Sequence, residues 1–187
     1  MACMLQHCAS QFLGQTADVS PCLDVTSQQG QERTDSRVFM LCLPAADDDL
    51  AILGFTNPDP LVAARELLAK TPARWLALTL GAKGAVILAR DGGAWQAAES
   101  QPVQVADTVG AGDSFLAGML VALLDRPAMR AAKTAAELTL DADDVEDLLA
   151  NAVACASLCV METGCVPPTR EQVLQRLSAG RPHFRVL

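Results

Sequence analysis

The segment from Asp107 to Phe115, Asp-Thr-Val-Gly-Ala-Gly-Asp-Ser-Phe, constrains the fold more than any other part of the sequence. It joins an extended stretch to an apolar helix predicted over residues 112–124. Gly110 and Gly112 allow the backbone to turn and to approach a ligand closely, because glycine has no Cβ. The first N–H groups of a helix are unpaired, and the peptide dipoles add about half a positive charge there. The segment therefore predicts an anion-binding bend suited to phosphate.

Asp113 is unusual in such a bend, because a carboxylate would repel a bound phosphate unless it had a chemical task. The task that fits is to accept a proton from an attacking hydroxyl during phosphoryl transfer. The N–H groups of the bend would then stabilise the charge on the transferred phosphoryl oxygens. The alternative from the residues alone is a capped helix after a glycine turn. The segment matches neither a P-loop nor the GxGxxG of a dinucleotide-binding fold.

Short apolar runs alternate with helical periods along the rest of the chain. The predicted elements, in chain order, are a short helix after Asp47–Asp49, a helix over 61–70, strands over 74–80 and 85–88, a hairpin partner near Trp95, a helix over 112–124, a helix capped by Asp141, and a last helix capped by Thr169 with Gln172. This alternation predicts an α/β layer fold.

The composition argues against several classes of protein. A formal net charge of −8 and an aromatic content of 4% do not suit a nucleic-acid-binding surface. The longest apolar run, residues 117–124, is far shorter than the roughly 20 residues that cross a bilayer. With His7 and His183 at opposite ends and no CxxC pair, neither a zinc site nor a histidine-based triad is expected. An odd cysteine count of 7 without a secretory signal predicts reduced thiols and a cytoplasmic location.

Residues 1–42 differ from the remainder of the chain. They are rich in Gln and Ser, as in Gln28–Gln31, and show neither a helical nor a strand period. Such a stretch does not build a core. We therefore predict a poorly ordered lead over 1–42 and one domain over 43–187.

The segment from Asp107 to Phe115, followed by Ala117-Gly118, resembles the C-terminal signature of the ribokinase-like (pfkB) family of carbohydrate kinases. Residues 78–85, Leu-Thr-Leu-Gly-Ala-Lys-Gly-Ala, resemble the nucleotide-side strand and turn of that family. Residues 164–169, Gly-Cys-Val-Pro-Pro-Thr, resemble the closing loop of its bacterial fructokinase branch, and residues 47–50 resemble the acidic segment of that branch. The resemblance covers roughly residues 43–180.

The resemblance implies a ribokinase-like three-layer αβα sandwich with a mainly parallel sheet. It implies transfer of the γ-phosphoryl group of ATP, with Mg²⁺, to a hydroxyl of a small sugar, fructose by branch similarity. The implied roles are a catalytic base at Asp113, an anion hole formed by the N–H groups of Gly110, Ala111 and Gly112, nucleotide contacts at Thr79, Gly81, Gly84 and Asn151, and a monovalent cation such as K⁺ held by Asp107 with carbonyls of Val109, Cys159, Glu162 and Gly164.

The chain also departs from the family pattern. The N-terminal half of the family, with its sugar-binding signature and β lid, is not recognisable in this sequence. Pro44 stands where relatives usually carry Asn or Lys, which removes a phosphate or metal-water contact, and Asp47 replaces the metal-organising acid. A partial sheet would expose apolar surface and favour pairing as a homodimer. Without sugar positioning, about 7–11 kcal/mol of effective-molarity advantage is lost, so we expect the isolated chain to be a poor kinase.

Several alternatives stay open. The same chemistry on 2-keto-3-deoxygluconate or ribose is the closest, and a non-catalytic nucleotide-binding remnant is a different class. Asp107 could serve only as a turn cap. Lys83 could be a solvated turn residue rather than a phosphate contact. Cys155 and Cys159 are better explained by helix packing than by metal binding.

Overall fold

The computed structural model describes residues 40–43, 50–71, 73–127 and 139–187. Most of the predicted lead lies outside these residues, as do Pro44 and the acidic segment Asp47–Asp49. Residues 40–42, which the predicted lead includes, belong to a strand.

Strands and helices alternate along the described residues. They are β1 (Met40–Leu43), α1 (Pro60–Lys70), β2 (Trp75–Thr79), a short 3₁₀ helix (Gly81–Lys83), β3 (Ala85–Ala89), β4 (Ala94–Ala98), α2 (Ala111–Leu124), α3 (Ala142–Cys159), α4 (Arg170–Ala179) and β5 (His183–Val186). None of the helices among these residues is long and apolar enough to cross a bilayer.

The described strands form one sheet in the order β1-β2-β3-β4-β5. The prediction of a mainly parallel sheet is wrong for these strands, because only β1 and β2 are parallel and the other three pairs are antiparallel. The connections explain this. Tight turns join β2 to β3 and β3 to β4, and a tight turn can link only antiparallel strands. The parallel pair has the crossover it needs, which contains α1.

Among the described residues, helices pack on both faces of the sheet, and the predicted α/β class is confirmed. On one face, α1 packs on Leu76, Leu78, Val86 and Leu88. On the other face, α2 and α3 pack on the alternate residues of the same strands, as the period of two requires. Trp75 is buried in this second core, with its ring centroid 5.8 Å from that of Trp95, as expected for a packing role.

Local capping signals fix where the helices begin. Asp59 caps α1 ahead of Pro60, and Asp141 and Thr169 each form the capping box that opens α3 and α4. The predicted caps Asp141 and Thr169 are confirmed. By contrast, α2 begins at Gly110 with no side-chain cap.

Candidate functional site

The predicted bend forms at the start of α2. Its N-cap, Gly110, has a φ of 83°, a conformation that glycine adopts without a Cβ clash. The N–H of Ala111 makes a long bond of 3.3 Å to the carbonyl of Thr108. The N–H groups of Gly112 and Asp113 lie in the first turn of α2, where the helix supplies no carbonyl four residues earlier to accept their hydrogen bonds. The bend therefore presents main-chain donors to an anion, and the anion hole assigned to Gly110, Ala111 and Gly112 stays a prediction.

Gly110 also has no room for a side chain. A Cβ there would lie 2.2 Å from Cys165 Sγ, so the loop after α3 packs directly on the bend. Burial raises the pKa of the Cys165 thiol, and the Cys159 thiol and the charge of Asp113 raise it further. The Asp113 carboxylate therefore lies within electrostatic reach of this loop.

A cavity of about 550 Å³ lies beside the bend. It sits at the edge of the sheet where β2 and β4 end and β3 begins. Its walls are the turn after β2, the segment after β4, the start of α2 and the last turns of α3. In open α/β sheets, ligands bind in crevices beyond the carboxyl ends of strands, which is where this cavity opens.

Five of the predicted site residues line this one cavity. Thr79 is the last residue of β2, Gly81 and Gly84 come from the turn after it, and Ala111 and Gly112 come from the start of α2. Gly84 is required there, because it has a φ of +87° and its Cβ would lie 2.0 Å from the carbonyl oxygen of Ala97. The structure thus brings together two segments that the sequence separates, while their contact with a nucleotide stays a prediction.

The structure does not bring Asn151 to the cavity lining. The carboxamide of Asn151 donates to the carbonyl of Asp147 in its own helix at 2.9 Å. Lys83 is exposed in the turn and is not a lining residue either.

Sequence reasoning missed the α3 wall of the cavity. That wall consists of Val153, Ala156 and Ser157, with Val160 at the end of the helix. The three-and-four spacing of these small residues along one helical face was the signal that could have found them.

Asp113 lies in the first turn of α2, next to the lining residue Gly112. It is partly exposed rather than enclosed by apolar side chains. A proton acceptor needs this access to an incoming hydroxyl.

Asp107 ties the bend to the loop after α3. Its Oδ1 accepts from the N–H of Val109 at 3.1 Å and its Oδ2 accepts from the N–H of Gly164 at 3.0 Å. These bonds hold the pKa of the Asp107 carboxyl below its usual range. Cys159 Sγ contacts the carbonyl of Val109 at 3.7 Å. Asp107 therefore acts as a turn cap, and four of the five predicted cation ligands share one cluster.

The fifth predicted ligand, Glu162, joins this cluster through its backbone N–H, which donates to the carbonyl of Cys159 at 3.2 Å. No group of three or more His, Cys, Asp or Glu side chains able to hold a metal occurs in the described part of the chain. The predicted ligands are one carboxylate and four carbonyl oxygens, a hard donor set of low charge that would suit a monovalent cation better than a transition metal. That cation site stays a prediction.

Glu99 is the charged residue of the cavity wall. Its Oε2 accepts from Arg176 Nε at 2.9 Å, and the side chains of Arg176 and Glu99 are only 9% and 14% exposed. Burial alone would raise the pKa of Glu99. Hydrogen bonds from Gln101, Ser157 and Arg176 outweigh burial and lower it. The pair is therefore charged in the folded state. Removing either side chain would leave the other as a buried charge without its partner, which is destabilising.

The lowered pKa of Glu99 predicts acid sensitivity. A carboxyl with a depressed folded pKa contributes stability above its unfolded pKa, which is near 4.5, and loses it as pH falls through the folded value. We expect the urea concentration at the unfolding midpoint of the wild type to decrease as the pH is lowered below about 4.5. In Glu99→Gln the midpoint should be lower at neutral pH and should fall less with acid. Glu171→Gln, which removes an exposed carboxylate, is the control. Parallel acid slopes in the wild type and Glu99→Gln would contradict this assignment.

Comparison with solved structures identifies the fold. A ribokinase from Giardia lamblia matches with a TM-score of 0.62 and 23% identity, over 77% of this chain and 44% of that chain. A fructokinase from Xylella fastidiosa with bound ATP matches with a TM-score of 0.61 and 23% identity, over 77% and 44%. An aminoimidazole riboside kinase from Salmonella enterica, complexed with its riboside and an ATP analog, matches with a TM-score of 0.58 and 23% identity, over 76% and 43%. The chain thus spans less than half the length of each.

Sequence comparison identifies the family. A search of curated proteins found no match. The family model described as "pfkB family carbohydrate kinase" matches residues 41–172, a range that contains the cavity and the bend. The chain belongs to the pfkB family of carbohydrate kinases.

Proposed function

We propose that residues 43–187 form the nucleotide-binding part of an ATP-dependent sugar kinase. The observation that carries this proposal is the single cavity lined by both the Thr79–Gly84 turn and the start of α2, with Asp113 partly exposed beside it. A cavity of this size accommodates a nucleotide. The helix start supplies main-chain donors for phosphate, and the apolar wall of α3 covers the less polar nucleoside.

In this proposal, Asp113 accepts the proton of the attacking sugar hydroxyl. The N–H groups of Gly110, Ala111 and Gly112 stabilise the oxygens of the transferred phosphoryl group, a role supported by the absence of a side-chain cap at this helix start. Mg²⁺ would bind with the nucleotide and neutralise phosphate charge. A monovalent cation at Asp107 and the carbonyls around it would hold the bend and the loop after α3 together.

Fructose is our first choice of acceptor, because the closing loop from Gly164 to Thr169 resembles the fructokinase branch. Ribose and 2-keto-3-deoxygluconate are the alternatives for the same chemistry. An assay that couples ADP release to these three sugars ranks them by kcat/KM. ADP release that no sugar stimulates would favour the non-catalytic nucleotide-binding remnant.

We expect the purified chain to bind Mg-ATP with a dissociation constant near or below about 1 mM, a binding free energy of about −4 kcal/mol. Calorimetry measures the heat, and a rise in the melting temperature with ATP concentration checks it independently. Inorganic tripolyphosphate is the control, since it occupies only the anion end of the cavity and should bind more weakly. If millimolar ATP produces no heat of binding and no shift in the melting temperature, the proposal is wrong.

A further inference from the structure

Two cysteine side chains pack on the bend. Cys159, the last residue of α3, donates its thiol hydrogen to the carbonyl of Val109, with 3.7 Å between sulfur and oxygen. Cys165, in the loop after α3, lies so close to Gly110 that a Cβ there would be 2.2 Å from its Sγ. The two thiols therefore contact the two residues that share one peptide bond.

The geometry of that peptide bond brings the two sulfurs to the same place. No peptide bond among the described residues is cis. In a planar trans peptide, the carbonyl oxygen of one residue and the Cα of the next lie on the same side of the C–N bond. Cys159 Sγ contacts that oxygen in Val109, and Cys165 Sγ lies beside that Cα in Gly110, so both sulfurs approach one edge of one peptide plane. The Cys159 thiol is also one of the groups that raise the pKa of Cys165, as a near neighbour would.

The backbone between the two cysteines is turned and anchored. The N–H of Glu162 donates to the carbonyl of Cys159 at 3.2 Å, which closes a turn directly after α3. Gly164 follows with a φ of +80°, and its N–H donates to the Asp107 carboxylate at 3.0 Å. This path keeps Cys165 close to the end of α3 instead of leading it away.

The two thiols differ in their access to solvent. Cys165 is partly exposed, whereas Cys159 is completely buried. Neither is in a disulfide, nor is Cys155. A small oxidant in solution therefore reaches Cys165 first, and Cys159 is in place as the second thiol. An accessible thiol with a second thiol beside it is the arrangement that redox-sensitive pairs use.

We propose that Cys159 and Cys165 are a redox pair, and that hydrogen peroxide converts them into a disulfide that weakens anion binding at the bend. In the first step the O–O bond of the peroxide breaks, an S–O bond forms on Cys165, and one water leaves. The Cys159 sulfur then attacks the Cys165 sulfur. The S–S bond forms, and the hydroxyl group leaves with the Cys159 proton as a second water. A dithiol reverses the reaction by thiol–disulfide exchange.

The disulfide changes the bend because both sulfurs pack on it. An S–S bond is much shorter than a contact between two thiols, so at least one sulfur must move. Cys159 loses the hydrogen that it donates to Val109, and the packing of Cys165 against Gly110, the N-cap of α2, is altered. The main-chain donors of the bend are then less well preorganised for an anion. This effect on binding rests on the proposed function, whereas the disulfide itself does not.

Peptide mapping of the oxidised full chain tests the pairing. The reduced protein is incubated with hydrogen peroxide for hours, because the raised pKa of Cys165 makes its thiol slow to react near neutral pH. The remaining thiols are blocked, and a protease that cleaves after glutamate cuts the chain at Glu162, between the two cysteines. We expect a disulfide to join the peptides on the two sides of Glu162, and dithiothreitol to separate them.

Two alanine variants on α3 are the matched controls. Cys155 lies one turn before Cys159 and is also buried, but it packs on α2 away from the bend, since a Cβ at Gly118 would lie 2.6 Å from its Sγ. Cys155→Ala should still form the linked peptides, and Cys159→Ala should not. Urea unfolding first establishes that both variants are folded, and the mapping of the wild type depends on neither.

Calorimetry with Mg-ATP measures the effect on the bend. Oxidation should raise the dissociation constant of the wild type and of Cys155→Ala by about two- to tenfold, as expected for one hydrogen bond, and dithiothreitol should restore it. The dissociation constant of Cys159→Ala, whatever its own value, should not respond to peroxide. That result would exclude methionine oxidation as the cause of the change.

The outcomes separate this inference from the proposed function. If no peptides are linked across Glu162 in the wild type, or if Cys159→Ala gives the same linked peptides, the redox pair is wrong. If the disulfide forms and ATP affinity does not change, the effect on the bend is wrong. If the reduced wild type binds no ATP, the proposed function fails, the effect on the bend fails with it, and the mapping alone decides whether the redox pair exists.

Discussion

Replacing Asp113 with asparagine should lower the rate of sugar phosphorylation by about 10²- to 10⁴-fold, the contribution of a positioned general base. Asparagine has nearly the same shape as aspartate but does not accept a proton at neutral pH. Nucleotide affinity should be unchanged or slightly higher, because the substitution removes a negative charge from the turn that presents N–H groups to phosphate. The measurement pairs the coupled ADP assay, run with the preferred sugar, with calorimetry for Mg-ATP.

The combination of lost turnover and retained binding separates a chemical role from a structural one. A first-turn carboxylate also stabilises its helix by about 0.3–1 kcal/mol through the helix dipole, so a small fall in stability is expected. Asp143→Asn is the matched control, since Asp143 is an exposed acid in the first turn of α3. It should reproduce the small loss of stability and leave turnover intact.

Unchanged turnover in Asp113→Asn would exclude Asp113 as the base. A wild-type chain that binds ATP and phosphorylates no sugar would instead support the non-catalytic remnant. In that case the bend and the cavity would still bind nucleotide, because they use main-chain donors that do not depend on the carboxylate.

Local signals made much of the fold predictable. A capping residue and its partner lie within three positions of each other, so Asp141 and Thr169 identify their helices without knowledge of the tertiary structure. The bend was predictable for the same reason, because Gly110, the residue that allows its backbone conformation, lies within the segment itself. The C-terminal strand β5 was not predicted, since its four residues are mostly exposed and carry no buried period.

The orientation of the strands follows from local turns, whereas the polar wall of the cavity depends on contacts between distant residues. The predicted tight turn at Gly81–Gly84 already implied an antiparallel pair, and the prediction of a mainly parallel sheet gave it too little weight. Glu99 and Arg176 are 77 residues apart, so neither residue signals the other locally. Asn151 lies just outside the cavity lining, because the cavity face of α3 begins two residues later, at Val153, and a nucleotide contact at Asn151 stays a prediction.

Gly84→Ala should destabilise the protein by about 2–5 kcal/mol, combining strain at a glycine-only backbone conformation with overpacking. A Cβ at this position would lie 2.0 Å from the carbonyl oxygen of Ala97 and 2.7 Å from the Cα of Ala98. These are backbone atoms of β4, so they can move only if the β3–β4 pairing shifts. Against a typical total of about 5–15 kcal/mol, this loss is a large fraction of the free energy of unfolding.

Gly54→Ala is the matched control for this prediction. Gly54 has a φ of +84°, close to the +87° of Gly84, but nothing lies within 4 Å of its Cβ position. The difference between the two urea midpoints therefore measures the close approach of β4 rather than the positive φ. Because Gly84 also lines the cavity, Gly84→Ala should weaken ATP binding in the fraction that stays folded, whereas Gly54→Ala should not. Equal destabilisation by the two substitutions would show that β4 yields easily at this point, and the wall of the cavity would then be less rigid than its hydrogen bonds imply.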